Sequence, residues 1–531
     1  MGVTAHADTL LTQGRIYTIE DDNPTAEAMA VRDGRVMAVG RESDVAALAG
    51  PATRVVRLAG RTVFPGLIDA HVHLLSLGLR LRRMDLAGVE SLEEALAVVR
   101  VGVSRVAPGE WVQGGGWDQN LWRRLPDRHD LDAVAPANPV MLESKDLHTC
   151  WANTLALRLA GIAASTPDPE GGEIVRDAAT GEPTGLLREG AVSLLREAIP
   201  APSPERCDEV VSDALRLAAS KGLTGLQVPE GPHTFSSLQR LRATGALPLR
   251  VYCFVQKEYL QDCIRLGVRT GFGDEWLRLG HVKLFLDGAL GSQTAHMLEP
   301  YSGTDSRGIE TMSRKDLRAV VAEAASAGIA PAIHAIGDAA NRVALDVLEE
   351  TASLWRPVGL RPRVEHVQLL HPADAGRLGP LGVVASMQPS HQPSDWMVAE
   401  RYWGDRSHLA YAWRTVLDSG GVLAYGSDCP VEPIDPMLGL HAAVARQTVE
   451  GLPAGGWYPE QRLTPLEALR AFTLGAAFAS GEESLKGSLA PGKLADFVVL
   501  SHDPITGPPE LFLRTRVDAT VVGGRVVYGE L

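Results

Sequence analysis

The first sixty residues alternate apolar and polar positions between turn signals, the period-two signature of strands with one buried face. In Ala30-Val31-Arg32-Asp33-Gly34-Arg35-Val36-Met37-Ala38-Val39, the pair Asp33-Gly34 reads as a two-residue hairpin loop. The last fifty residues repeat the style, with a strand over 495–500 and a hairpin over 519–528 turning at Gly523-Gly524. Neither end is large enough to hold a core alone. The two are therefore expected to pack as one composite β-sandwich, with residues 1–64 and 481–531 as its halves.

Between the ends, short apolar strands alternate with helical stretches, which argues for a parallel sheet with crossover helices. After a first strand ending at His73, strands are expected over 223–228, 249–255, 277–286, 329–334, 363–367, 383–388 and 422–428. Eight strands are the number that closes a (β/α)8 TIM barrel, here spanning 65–480. Helical spacing of apolar residues is clearest over 317–327 and 339–348. About 150 residues separate the first two strands, far more than one βα connection needs. They predict an inserted subdomain over about 74–220. It contains Trp111-Val112-Gln113-Gly114-Gly115-Gly116-Trp117-Asp118, Val140-Met141-Leu142-Glu143 and a Gly-rich hairpin over 171–187. Leaving the C-terminal end of strand one, it is expected to overhang the barrel mouth and shape a pocket there.

Composition narrows the function classes. The 531 residues carry a formal net charge of -14 with no basic run, which argues against a nucleic-acid partner. Five scattered cysteines without a Cys-x-x-Cys pair indicate neither a disulfide framework nor a thiolate zinc site, and fit a reducing cytoplasm. No basic-then-apolar leader stands in residues 1–14 and no stretch of about 18 apolar residues follows, so a soluble cytoplasmic protein without a membrane partner is expected.

Candidate chemistry lies at the strand ends. In Val63-Phe64-Pro65-Gly66-Leu67-Ile68-Asp69-Ala70-His71-Val72-His73 an apolar run stops at two imidazoles one residue apart; on a strand, both would point to one face and offer a metal two nitrogens. Lys283, His334, His366 and Asp428 end strands four, five, six and eight, so all six would converge at the C-terminal face of the barrel, where this fold places its active sites. Singly, His334 and His366 also read as satisfied core histidines and Asp428 as a turn cap. Lys283 reads either as a snorkelling surface lysine or as a buried amine beside metal ions. There its lowered pKa would let it add carbon dioxide and become a bridging carbamate. His281, on the same strand face, competes with it as ligand.

With these segments the chain resembles the amidohydrolase superfamily, in the amidohydrolase-3-type branch of YtcJ-like metal-dependent hydrolases that includes N-substituted formamide deformylase. The resemblance runs through the His71-Val72-His73 segment, Gly116-Trp117-Asp118, Val282-Lys283-Leu284-Phe285-Leu286-Asp287-Gly288, Ile333-His334-Ala335-Ile336-Gly337-Asp338, Glu365-His366, Gly426-Ser427-Asp428 and 487–497. It implies a binuclear centre, usually zinc, with His71, His73 and Asp428 on one ion, His334 and His366 on the other, and carboxylated Lys283 between them. A water shared by two dications would become a hydroxide that attacks a carbonyl carbon, with Asp428 as proton shuttle. Manganese, iron or cobalt would accept the same ligands. Cys429 stands where such proteins more often carry tryptophan, which would alter one pocket wall.

The expected activity is hydrolysis of a non-peptide carbon–nitrogen bond in an amide of N-formyl or N-acyl type, on a small-molecule substrate. The same centre would serve a cyclic-amide hydrolase or a deaminase, and a catalytically idle binding or regulatory relative is the third alternative. By the resemblance, such enzymes are often homodimers. Trp117, His148 and Gln388 are candidate substrate contacts, each also readable as packing. Trp396, Trp403 and Trp413 read as packing for the loop after strand seven, and Glu143 and Asp287 either as partners orienting ligating imidazoles or as ordinary turn and surface acids.

Overall fold

The computed structural model describes residues 6–117, 121–122, 124–144, 149–169 and 172–531. It forms two compact units, one from 1–78 with 207–531 and one from 79–206. In the first, eight strands pair in parallel in chain order: β1 (Leu67–Asp69), β2 (Leu223–Val228), β3 (Arg250–Gln256), β4 (Leu277–Phe285), β5 (Pro331–Ala335), β6 (Arg363–His366), β7 (Val384–Met387) and β8 (Val422–Tyr425). This is the predicted α/β barrel. Apart from β6, whose Arg363, Glu365 and His366 are buried polar groups, its strands read as largely apolar runs in the sequence because nearly every position is buried, as expected when a strand is covered on both faces.

Register sets the height of each side chain along the barrel. Lys283 pairs with Ala332, Phe285 with His334 and His334 with Glu365, so the polar residues of β4, β5 and β6 gather near the C-terminal rim. The crossover helices predicted over 317–327 and 339–348 are Arg314–Ser326, capped by the Ser313 side chain on the Asp316 N–H, and Asp338–Glu350.

The two ends of the chain build two further sheets. One orders Arg35–Gly40, Ala28–Arg32, Thr9–Thr12 and Arg54–Arg57; the other orders Arg525–Gly529, Val517–Val522, Phe497–Leu500, Thr62–Pro65, Arg15–Tyr17 and Thr25–Ala26. Leu11, Ile16, Val31, Val63, Phe497, Val499 and Val521 share their core. Both hairpin turns lie where predicted, with Asp33 and Gly34 at φ 49° and 73° and Gly523 and Gly524 at 55° and 72°, the left-handed values that a tight two-residue loop requires. Arg250 at the start of β3 makes a buried ion pair with Asp496 of the C-terminal segment, at 2.7 Å. Asp496 also accepts the Gly523 N–H at 2.7 Å, so one carboxylate joins barrel and sandwich.

The second unit covers 79–206. The helices Leu74–Leu81 and Pro204–Ser220 flank it, and most of the second helix packs with the barrel unit through Val210, Val211, Ala214 and Leu215. The separate unit holds a six-stranded sheet whose edge is the predicted hairpin, Gly172–Arg176 against Pro183–Glu189. Among the described residues no helix is long and apolar enough to cross a membrane.

Candidate metal centre

The chain leaves β1 at Asp69, so His71 and His73 stand in irregular backbone and not on the strand as the alternation predicted. Hydrogen bonds to both neighbours hold this backbone in place. Ala70 N–H reaches Tyr425 O (2.9 Å), Val72 N–H reaches Gln227 O (3.1 Å) and His73 N–H reaches Cys429 O (2.8 Å), while Asp428 N–H returns to His71 O (2.7 Å). Ligand spacing thus survives the end of the strand. Asp428 itself lies three residues past β8, again beyond the strand predicted over 422–428, with φ 56°. His366 ends β6 at φ 74°. Such left-handed backbone costs a non-glycine residue about 1–3 kcal/mol and persists where its surroundings enforce it, as the Asp428 bond to His71 does here.

An acid without an assigned role in the sequence organises this junction. Asp69 accepts the N–H groups of His71 and Ser427, each at 3.0 Å, and the Ser427 hydroxyl. Burial pushes its pKa up to about 7 against those hydrogen bonds. Gly426 is required beside it, because a Cβ there would lie 2.5 Å from His71 N and 2.7 Å from Asp69 Oδ1. Glu230 closes the next turn by accepting the N–H groups of Leu75 and Ser76 at the start of the helix Leu74–Leu81.

The six candidate ligands come together. His71, His73 and Asp428 each offer one ligand atom within 4.8 Å of the others, with Asp428 Oδ1 at 3.2 Å from His73 Nε2 and 3.8 Å from His71 Nε2. The His366 ring lies 4.5 Å from that of His334 and 5.1 Å from that of His71, centroid to centroid. Lys283 is buried, its ammonium 4.9 Å from the centre of the Phe285 ring. Phe285 itself is 45% exposed and 5.3 Å from His334, which gives the site an apolar wall.

Hydrogen bonds select which imidazole nitrogens remain for a metal. Glu365 holds His71 Nδ1 at 2.6 Å, Gln388 Oε1 holds His366 Nδ1 at 2.8 Å, and Gly288 O takes His334 Nε2 at 2.9 Å. The open nitrogens are then Nε2 of His71, Nδ1 of His334 and Nε2 of His366, each ring oriented by its other nitrogen in the manner of ligating histidines. Burial lowers the pKa of His71 to about 4 and of His334 to about 3, and lowers that of His366 well below the usual range. These rings are neutral, as metal binding requires. Burial likewise lowers Lys283 to about 8, against the pull of Glu365 and Asp428, so its amine is more readily neutral than an ordinary lysine. For Asp428, burial acts upwards, but the His73 hydrogen bond and the neighbouring imidazoles hold its carboxyl well below the usual range. Neutral imidazoles, an anionic carboxylate and a softened lysine are a donor set that fits divalent metal ions.

Below the ligands lies a charge pair absent from the predicted set. Arg363 and Glu365, both fully buried, are bound through Arg363 Nε and Nη2, and Arg363 also reaches Ala70 O (2.8 Å), Gln227 and Ser386. Arg363 holds the Glu365 pKa well below its usual value despite burial, so an anion faces His71 Nδ1. Arg-x-Glu-His, which makes up the whole of β6, was the available signal. Glu143, one of the acids considered for such a role, instead bonds Arg196 at 3.1 Å and Arg83 at 3.4 Å within the 79–206 unit. Asp287 does reach the site, 3.5 Å from His334 Nε2, while accepting the Ile336 and Gly337 N–H groups.

Two further expectations change. His281 is no ligand competitor, since Tyr252 OH and Arg361 O occupy its two ring nitrogens at 2.9 and 2.8 Å. Trp117 is a core residue and not a substrate contact; it is fully buried, stacks on Trp122 at 5.5 Å, meets Trp151 edge-on, and donates its indole N–H to Leu142 O. Gln388 is buried and its amide oxygen faces His366 Nδ1, which gives it an orienting role toward that ring. His148 and Asp118 lie outside the described residues. Trp403 and Trp413 are buried and Trp396 packs on the core, in keeping with their reading as loop packing.

A family model described as the amidohydrolase family matches residues 54–528. The chain belongs to the amidohydrolase family. Among amidohydrolase relatives and others, it is 36% identical to Protein LONG AFTER FAR-RED 3 of Arabidopsis thaliana, over 98% of this chain and 92% of that one. It is 32% identical to N-substituted formamide deformylase of Arthrobacter pascens, over 99% of each. Its fold is similar to that of a solved metal-dependent hydrolase from Pyrococcus furiosus, with TM-score 0.80 and 29% identity over 94% of this chain and all of that one. Amidohydrolase membership agrees with the motifs and with the barrel, and makes the chain a metal-dependent hydrolase.

Proposed function

We propose that this amidohydrolase cleaves the carbon–nitrogen bond of a small N-formyl or N-acyl amide at a centre of two divalent metal ions, zinc by its nitrogen and oxygen donors. The observation that carries the reading is the convergence of His71, His73 and Asp428 within 4.8 Å beside the His334–His366 pair and buried Lys283. The deformylase relative, similar along its whole length, supports the N-formyl class. When bound, the metals supply an acidified water and a Lewis acid. The residues do the rest. His71, His73 and Asp428 would hold one ion and His334 and His366 the other, with Lys283, once carboxylated by carbon dioxide, between them. Asp428, anionic and facing His73 and His71, takes the proton released by the attacking water and returns it to the leaving nitrogen. Phe285 offers an apolar face for a substituent on the amide.

The test is metal content per chain by elemental analysis, native mass of the protein and of Lys283→Ala, and turnover of a panel of N-substituted formamides and N-acyl amines. Two metals, a carbon dioxide adduct that Lys283→Ala abolishes, and release of free amine are expected. Ammonia or a ring-opened product from a different panel would move the reading to a deaminase or cyclic-amide hydrolase. A chain that stays metal-free after incubation with zinc and bicarbonate would overturn it.

A further inference from the structure

His391 opens the helix His391–Trp403 after β7, and its part in the site rests on hydrogen bonds left unmade. Its side chain is more than nine-tenths buried, yet Nε2 has no hydrogen-bond partner. That nitrogen stands 3.5 Å from Asp428 Oδ2, and the ring lies 6.3 Å from that of His366. The other nitrogen, Nδ1, accepts from Gln368 Nε2 at 3.3 Å; the Gln368 backbone carbonyl takes the Tyr411 N–H at 2.8 Å, while its side-chain Oε1 has no hydrogen-bond partner. With Nδ1 accepting, the ring proton sits on Nε2 and points at Asp428. A buried donor without a partner costs about 1–3 kcal/mol, so its retention calls for a reason.

The two oxygens of Asp428 face different neighbours. Oδ1 faces His73 and His71, the candidate metal side; Oδ2 faces His391. A carboxylate free to rotate would exchange these roles. We infer that His391, its tautomer set by Gln368, is a positioning residue that donates from Nε2 to Asp428 Oδ2 and so fixes which oxygen meets the metal and which handles the proton. The 3.5 Å separation stands at the outer edge of hydrogen-bond distance. The backbone ties this device to the ligands, because the His391 N–H bonds the carbonyl of Gln388, whose side chain orients His366.

This inference rests on the proposed amide hydrolysis for its kinetic arm alone. His391→Ala and His391→Gln are compared with the wild-type holoenzyme for metal content, kcat and KM on N-substituted formamides. A loss of about 10- to 100-fold in kcat with unchanged KM and metal content is expected for His391→Ala, with partial rescue in His391→Gln, whose amide N–H can reach the carboxylate. Equal kcat in all three, or a fall in KM-side binding alone, overturns it. The second arm needs no substrate. In holoenzyme labelled with 15N histidine, the His391 signal, assigned by its loss in His391→Gln, is expected to show the Nε2–H tautomer. Gln368→Glu should convert it to Nδ1–H. A His391 protonated on Nδ1 in the wild type, or indifferent to Gln368→Glu, overturns the inference even if no amide is hydrolysed; inactivity of the wild type with the expected tautomer and switch defeats only the proposed function.

Discussion

Replacing Glu365 with leucine probes the charge pair beneath the ligands. The substitution removes both hydrogen bonds to Arg363 and leaves that guanidinium at zero exposure, with Ala70 O, Gln227 and Ser386 as its remaining, neutral partners. Breaking a buried ion pair from one side costs about 3–5 kcal/mol, because the surviving charge stays in a medium that solvates it poorly. An unfolding entropy of about 2.1 cal/mol/K per residue gives roughly 1.1 kcal/mol/K for cooperative melting of this 531-residue chain, so Tm should fall by about 3–5 °C. Differential scanning calorimetry on metal-stripped protein separates this from weaker metal binding. Arg363→Met should be similarly damaging, since it strands Glu365 beside His71 and takes a partner from the Gln227 amide oxygen and from Ser386. The double variant should be more stable than the sum of single losses predicts by about 1–3 kcal/mol. Restored to metal, Glu365→Leu should bind about 10- to 100-fold more weakly, because nothing then fixes the His71 ring. A Tm within about 1 °C of wild type, or additive losses in the double variant, would refute the assignment of a coupled charge pair.

Two further outcomes follow from contacts remote from the centre. Asp496→Ala strands buried Arg250 and unpairs Gly523 N–H, so thermal melting should reveal a loss of about 3–5 kcal/mol, with turnover per folded molecule retained. Glu467 caps the helix Pro465–Arg470 and bonds Arg414, which lowers its pKa from 4.5 to about 2. A carboxyl depressed in the folded state stabilises above its unfolded pKa, so this contribution, about 1 kcal/mol on a partly exposed side chain, is lost as pH falls from 4.5 towards 2; Glu467→Gln should lack that slope in acid unfolding titrations.

The barrel was legible because strands buried on both faces appear as apolar runs whose spacing survives without any knowledge of partners. Ligand identity was legible for a related reason: an imidazole or a lysine at the end of such a run is chemically conspicuous. Local geometry was not. His71 and His73 keep their common direction through bonds to Gln227, Tyr425 and Cys429, and nothing in an i, i+2 spacing separates that from strand alternation. Orienting groups were hidden because their partners are distant along the chain, as with Glu365 and His71, 294 residues apart. Trp117 misled because an aromatic beside three glycines looks the same whether it faces a ligand or two other tryptophans. His391 carried no signal in the sequence, and its empty Nε2 is what distinguishes it from an ordinary helix-start residue.

The seam where β8 meets β1 is stitched by the two segments that carry His71, His73 and Asp428, through Asp69, Ser427 and the backbone bonds between them. Asp69 and Ser427 are 358 positions apart. A ribosome must therefore deliver about four-fifths of the chain before this half of the centre exists, and a shorter emerging fragment has no assembled cage with which to take an ion. An ion held there would act as a rivet across the last joint of the barrel, tying the segment after the first strand to the segment after the eighth.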